Sequence, residues 1–364
     1  MLGCGICGSD LHARHHADAA ADDAALAGYD AFMRSDEAVV MGHEYAGEVV
    51  DRGPRTSGPK PGTVVVAMPM LRAGGPDDRS VDLVGLSQRA PGGYAEQVLA
   101  QASLTFAVPN GLAPTTAALT EPMAVALHAV RRGDVGKRQP AVMLGCGPIG
   151  LGVIAVLKAA GVRHVVASDP SPARRALATA MGADVVVDPG EESPYAATGR
   201  RGLDAAGLFR LAVESMDKLR AVPVVPWQTL CRAAEAAGAT PSGPVVFECV
   251  GVPGMLDSVL AGAPLYTRVV VVGVCMEPDS IRPSLGINKE IDLRFVFGYT
   301  PAEFREALHL LADGDVDPTP MLTGTVGLDG VADAFDVLSG AAGARGAAAG
   351  HAKVVVEPRS TGIL

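Results

Sequence analysis

The sequence predicts an α/β protein in which a doubly wound parallel sheet is joined to a second, barrel-like β domain. Three observations carry this reading. The chain has 364 residues, about the size of two domains. Beyond Pro122, apolar β-type runs alternate with helical patterns, as in βαβ units on a parallel sheet. Between Val39 and Leu99, short β-type runs are instead broken by Gly/Pro clusters at 58–62 and 91–93, the texture of a small β domain. The domains are therefore drawn at residues 1–122 together with 298–364, and at 123–297.

Each element follows from local text. Residues 3–12, rich in glycine and cysteine, open the chain. The Ala/Asp stretch 17–28 reads as a helix or surface loop ahead of the extended segment 38–51. Residues 48–50, 63–67 and 95–99 are the β-type runs of the first domain. In the second, strands at 141–144, 164–168 and 183–187 alternate with helices at 148–160 and 172–181. The series resumes with strands at 245–250, 269–274 and 292–297, and six strands suit a doubly wound nucleotide-binding sheet. Residues 190–243 exceed one helix and hold the only tryptophan, Trp227, so they read as a helical insertion with a mobile connection. Residues 340–350, almost all Gly and Ala, read as a flexible surface loop, and 353–357 as a closing strand.

Composition narrows the function classes. A hydrophobic fraction of 48% with 19% charged residues excludes general disorder. The formal charge of −10 argues against a nucleic-acid partner. Six cysteines are too few for a disulfide scaffold of this size and suit a reducing compartment. The apolar stretch 141–157 is shorter than a membrane span and is interrupted by glycines and a proline. No basic, apolar leader follows Met1, so the expected location is cytoplasmic, away from membranes.

Gly145-Cys146-Gly147-Pro148-Ile149-Gly150 fits G-x-G-x-x-G between a strand and a helix. Backbone N–H groups and the helix dipole then face a pyrophosphate. Gly145 permits the tight turn, Gly147 the approach of phosphate, and Gly150 close helix–sheet packing. Asp169, 19 residues beyond Gly150, is placed to accept hydrogen bonds from ribose hydroxyls. That carboxylate would repel a 2′-phosphate, so NAD is expected ahead of NADP, although Arg174 and Arg175 could partly offset the repulsion.

Cys7, His43, Glu44 and Glu121 are the residues most suggestive of a catalytic metal, three protein ligands with one open position being the catalytic zinc pattern. Taken alone, His43-Glu44 is more often an ordinary polar pair. Cys4 and Cys7 form a C-x-x-C, but no second one exists to complete a zinc ribbon, and too few residues precede it for a thioredoxin-like strand.

Gly5-Ile6-Cys7-Gly8-Ser9-Asp10, Gly42-His43-Glu44, Glu121-Pro122, the glycine motif and Glu248-Cys249-Val250-Gly251 stand in the order found in the zinc-dependent medium-chain alcohol dehydrogenases. The chain resembles their sorbitol, butanediol and threonine dehydrogenase branch over nearly its whole length. The resemblance implies a GroES-like catalytic domain beside a Rossmann domain. It puts Cys7 and His43 on the catalytic zinc, with Glu44 and Glu121 as acidic ligands, one of them through water. Asp10 becomes the carboxylate that orients His43, and Ser9 and His12 the proton relay. Gly251, Gly273 and Val274 join the dinucleotide contacts.

The implied reaction is hydride transfer from a secondary alcohol, polyol or amino alcohol to NAD, and its reverse, with one zinc per chain. The product is a ketone or aldehyde. Pocket walls are expected from 13–36, 68–88 and Tyr299-Thr300, and a homo-oligomer, dimer or tetramer, from family habit. The rivals are a zinc-free NADPH-dependent enzyme of the quinone-reductase kind and a non-catalytic dinucleotide-binding protein. Two departures from the family stand out. No cysteine lies between Cys7 and Cys146, so a structural zinc is not expected, and 71–89, with Asp77, Asp78 and Asp82, should be a metal-free loop. Cys7 also follows Met1 by only six residues, which predicts missing barrel strands upstream and an unpaired sheet edge beside the metal site.

Overall fold

The computed structural model describes residues 1–72, 74, 80–199, 204–222, 226–237, 242–339 and 350–362. The chain opens with β1 (Gly3–Gly5), α1 (Gly8–Leu26), β2 (Glu44–Glu48) and β3 (Val64–Ala67). The hairpin β4 (Met70–Arg72) and β5 (Val81–Leu83) follows, then β6 (Thr105–Ala107), α2 (Pro114–Ala117) and α3 (Thr120–Gly133).

Next come β7 (Ala141–Leu144), α4 (Pro148–Ala159), β8 (Val165–Ser168), α5 (Pro172–Ala180) and β9 (Val185–Val187). The helices α6 (Ala205–Arg220) and α7 (Trp227–Ala236) lead to β10 (Val245–Glu248), α8 (Met255–Gly262), β11 (Arg268–Val271), α9 (Pro283–Lys289) and β12 (Asp292–Phe295). The chain closes with α10 (Pro301–Ala312), β13 (Leu322–Val326), α11 (Val331–Ser339) and β14 (Lys353–Val356).

Two six-stranded sheets organise these elements. In one, β12-β11-β10-β7-β8-β9 are all parallel, the doubly wound order whose reversal lies between β7 and its neighbours β8 and β10. Its central strands read Ala-Val-Met-Leu and Val-Val-Phe-Glu and are fully buried, as expected where helices cover both faces. The other, β13-β14-β1-β2-β3-β6, is antiparallel except for β13 on β14. The protein is therefore α/β, with a parallel sheet beside a separate, mainly antiparallel one. Between them α3 packs on both α4 and α10. Met123, Leu151, Ile154, Phe304 and Leu308 share one buried cluster with Val66 of β3 and Met143 of β7. Each fully buried side chain of that size contributes about 1.5–3 kcal/mol.

Several expectations change. Of the two readings of 17–28, the helix holds, as far as Leu26. The stretch continues a helix already begun at Gly8, bent where His16 leaves helical geometry. Residues 95–99, read as a β-type run, form no strand and pair with none among the described residues. Glu96 to Leu99 line a groove of about 540 Å3 with Leu99 exposed. Residues 71–89 are not simply a loop, since β4 and β5 pair there and buried Asp82 is bound by Arg89 at 2.6 Å. The edge expected beside Cys7 is absent, because β1 is paired by β14 on one side and β2 on the other. Within 190–243 the described residues form the helices α6 and α7. The connection near 200–203 and the Gly/Ala segment 340–349 lie outside the described residues. Among the described residues no helix is long and apolar enough to cross a membrane.

Candidate active site

Cys7 and His43 are far apart in sequence and are brought together by the β1–β2 pairing, in which Gly5 faces Glu44. Cys7 occupies the turn from β1 into α1. Asp10, in the first turn of α1, accepts the Cys7 N–H at 3.1 Å. Its Oδ2 also accepts the Tyr94 hydroxyl at 2.6 Å. The other oxygen stands 3.2 Å from His43 Nδ1, which leaves Nε2 facing the opposite way. On that side the Ser9 hydroxyl donates to Cys7 Sγ at 3.1 Å and lies 3.4 Å from Nε2. One ligand atom each from Cys7, His43 and Glu44 falls within 4.8 Å of the others.

The electrostatics favour a cation here. Burial works against charge on His43, yet Asp10 and then Cys7 outweigh it and draw its pKa well above the usual histidine value. The same field attracts a divalent ion. Thiolate, imidazole and carboxylate form a zinc-like donor set, and an imidazole aimed by a carboxylate is the usual support for a metal-bound histidine. The residues present fit a zinc ion.

Glu121, in the first turn of α3, is outside the 4.8 Å group. Burial pushes its pKa up to about 7, His43 opposing. It is hydrogen-bonded to Tyr299, which stacks on Phe304. His12 lies one turn beyond Ser9 on α1, half-buried, its pKa lowered by burial and by His16 and His15. No hydrogen bond joins it to Ser9. Two of the expected pocket walls meet, the Met33 N–H donating to the Leu86 carbonyl at 2.8 Å and the Leu83 N–H to Tyr29 Oη at 2.9 Å.

The glycine motif spans the turn from β7 into α4. Gly145 has φ +89°, open to glycine at little cost. A Cβ on Gly150 would strike the Gly145 carbonyl oxygen, whereas one on Gly147 would meet nothing within 4 Å. Gly147 thus presents bare backbone to open space, as a phosphate cradle requires. Pro148 is the first residue of α4, and Ile149 packs against the core. Gly251, Gly273 and Val274 come together beyond β10 and β11, where a Cβ on Gly273 would collide with Gly251 N. Glu248 secures this turn by accepting the Val250 and Gly251 N–H groups at 2.6 and 2.8 Å. A cleft of about 240 Å3 opens there, lined by Glu248, Met255, Val274 and Phe295 among others.

Asp169 stands just past β8, but both its oxygens already accept backbone N–H groups, from Cys146 at 2.9 Å and Ser171 at 2.8 Å. Arg175 is not available to a phosphate in the way the sequence suggested. It is bound to Asp188 and to the Asp169 and Pro170 carbonyls. Arg174 remains 41% exposed, 4.0 Å from Asp169.

Sequence reasoning missed Tyr94 and Lys353, and gave Tyr299 only as a pocket wall, not as the partner of Glu121. The lysine held a signal, being a charge at the head of the apolar run Val354-Val355-Val356. Its amine is buried against Glu44 at 2.7 Å.

Residues 1–110 match the alcohol dehydrogenase GroES-like domain, and residues 148–206 match the zinc-binding dehydrogenase model. (R,R)-butanediol dehydrogenase of Bacillus subtilis (strain 168) is 30% identical over 341 residues, covering 90% of this chain and 84% of that protein. Sorbitol dehydrogenase of Rattus norvegicus is 26% identical over 352 residues, covering 92% and 84%. A crystal structure described as a zinc-binding dehydrogenase of Sinorhizobium meliloti 1021, bound to NADP, aligns with a TM-score of 0.70 at 27% identity. That alignment covers 98% of this chain and 90% of the other.

Proposed function

The chain belongs to the zinc-dependent medium-chain alcohol dehydrogenase family, and on that footing we propose that it oxidises a secondary alcohol, most directly a vicinal diol or polyol, with NAD as hydride acceptor. The observation that carries this reading is the meeting of Cys7, His43 and Glu44 within 4.8 Å, with His43 aimed by Asp10. A zinc-free reductase or a non-catalytic binder has no use for such a cluster. The diol and polyol preference follows the substrates named for the butanediol and sorbitol relatives.

Zinc held by Cys7, His43 and an acidic residue would supply Lewis acidity toward the substrate oxygen. The dinucleotide, seated on Gly145, Gly147, Gly150, Gly251, Gly273 and Val274, would supply the hydride acceptor. The chain's own residues do the rest. Asp10 fixes the tautomer and direction of His43. Ser9, beside both Cys7 and His43, takes the substrate proton, and the half-buried His12, one turn further along α1, would hand it to water once a bound ribose bridges the gap between the two. Cys7 and His43 flank strands β1 and β2 of the antiparallel sheet, assigned to residues 1–122 and 298–364, whereas the glycine motif follows β7 of the parallel sheet, assigned to 123–297. NAD is favoured over NADP because a carboxylate, Asp169, stands where the adenosine ribose is expected.

The assembly is a homo-oligomer built on the unpaired edge of β12, where Phe295 and Phe297 are 64% and 90% exposed. A lower mass by light scattering for Phe297→Asp tests that face. Screening diols, polyols and amino alcohols with NAD, before and after chelation, tests the activity. Turnover unaffected by metal removal would overturn it.

A further inference from the structure

Asp10 is fully buried, and the torsion that turns a carboxylate about its Cβ–Cγ bond is broad unless the oxygens are tied. Two donors fall on the same oxygen. Oδ2 accepts the Cys7 N–H at 3.1 Å and the Tyr94 hydroxyl at 2.6 Å. Oδ1 is thereby left to His43 Nδ1, 3.2 Å away, and neither of those two atoms has a hydrogen-bond partner elsewhere among the described residues. The shorter bond to Oδ2 is the one from Tyr94. A phenol has a single proton to give, and the carboxylate at 2.6 Å takes it ahead of the Gly5 carbonyl at 3.2 Å. Burial, and then the Asp10 charge, push the Tyr94 pKa well above the ordinary tyrosine value, so the hydroxyl remains a donor.

The ring that carries this hydroxyl is itself fixed. A Cβ on Gly42, the residue before His43, would strike Tyr94 Cδ1 and Cε1 at 2.8 Å, so the ring lies against the backbone that leads to the imidazole. The Tyr94 N–H donates to the Met41 carbonyl at 3.0 Å. The ring also meets Phe335 of α11 edge-on, with centroids 6.0 Å apart and an interplanar angle of 86°. The Arg14 guanidinium lies over Phe335 and pairs with Asp336 at 2.8 Å, which ties α11 to α1, the helix that bears Asp10.

We propose that Tyr94 is a positioning residue for the metal-binding imidazole: its hydroxyl pins Asp10 Oδ2, so that Oδ1 stays turned to His43 Nδ1, and its ring, packed on Gly42 and Phe335, holds the hydroxyl in place. This rests on the zinc reading of the site and adds to it a residue that acts through Asp10.

The test uses the full chain reconstituted with Co(II), its affinity read by competition with a chelator. A thiolate-to-cobalt charge-transfer band in the wild type shows the metal on Cys7, and its absence would overturn the zinc reading and this proposal with it. With the band present, Tyr94→Phe, which keeps the ring and loses the hydroxyl, is expected to weaken cobalt binding about tenfold. In an Asp10→Ala background the same substitution is expected to change affinity by less than about twofold, because no carboxylate remains for the hydroxyl to orient. Affinity within twofold of wild type in Tyr94→Phe, or an equal loss with and without Asp10, overturns the proposal and leaves the zinc reading standing. Should Asp10→Ala fail to fold, the cobalt d–d spectrum of Tyr94→Phe decides: with the thiolate band retained, a shifted spectrum shows His43 displaced and supports the proposal, and an unchanged one defeats it.

Discussion

His43 Nδ1 stands 3.2 Å from Asp10 Oδ1, and the same carboxylate accepts the Tyr94 hydroxyl and the Cys7 amide on its second oxygen. One buried residue thereby sets both the imidazole direction and the turn that carries the thiol. Asp10→Asn keeps the size and loses the charge, and metal affinity should fall by about 10–100-fold. Competition with a chelator measures it; affinity within twofold of wild type would remove Asp10 from this role.

Cys7→Ala and His43→Ala should each abolish metal retention and turnover while dinucleotide affinity, read by fluorescence titration, stays near wild type. The metal cluster belongs to the antiparallel sheet and the glycine motif to the parallel one. His12→Ala should be milder, lowering turnover with metal content unchanged, because water substitutes in a proton path but not in a coordination shell. A metal loss in His12→Ala equal to that in Cys7→Ala would contradict the assignment.

Asp169→Ser removes the carboxylate near the expected ribose and frees Arg174, 4.0 Å away. The NADP-to-NAD ratio of kcat/KM should rise by about tenfold, the order of one charge contact of ~1.4 kcal/mol. Asp169 also holds the Cys146 amide of the glycine motif, so NAD efficiency should fall in absolute terms as well. A wild type that already prefers NADP would show the ribose assignment to be wrong.

These sites differ in how legible they were. The glycine motif is contiguous, so strand, turn, helix and Asp169 could be read in register. β1 was not readable: Gly-Cys-Gly has no strand preference and is extended because β14 and β2 flank it. The converse holds at 95–99, where a β-type run forms no strand among the described residues. Lys353 and Glu44 are 309 residues apart, and nothing local in either phrase points to the other.

Glu303 joins α10 to α3 through His128 at 3.1 Å and Arg131 at 3.4 Å, and caps α10 through Thr300. Burial would raise its pKa, but bonds from Thr300 and His128 outweigh that and hold it below the ordinary value. In the native state it therefore binds fewer protons than in the unfolded chain. Its stabilisation is present above the unfolded carboxylate pKa and is lost as pH falls through the lower native value. Glu303→Gln should cost about 1–3 kcal/mol near pH 7, and the gap from wild type should narrow below about pH 4. A gap constant from pH 7 to pH 3 in denaturant titrations would refute this.

The most direct test of the account is metal content measured alongside diol oxidation on the same purified sample. About one zinc per chain is expected, with NADH formed from a vicinal diol, lost on exhaustive chelation and recovered on adding zinc. Full turnover from protein stripped of metal, or a folded chain that binds no zinc, would contradict it.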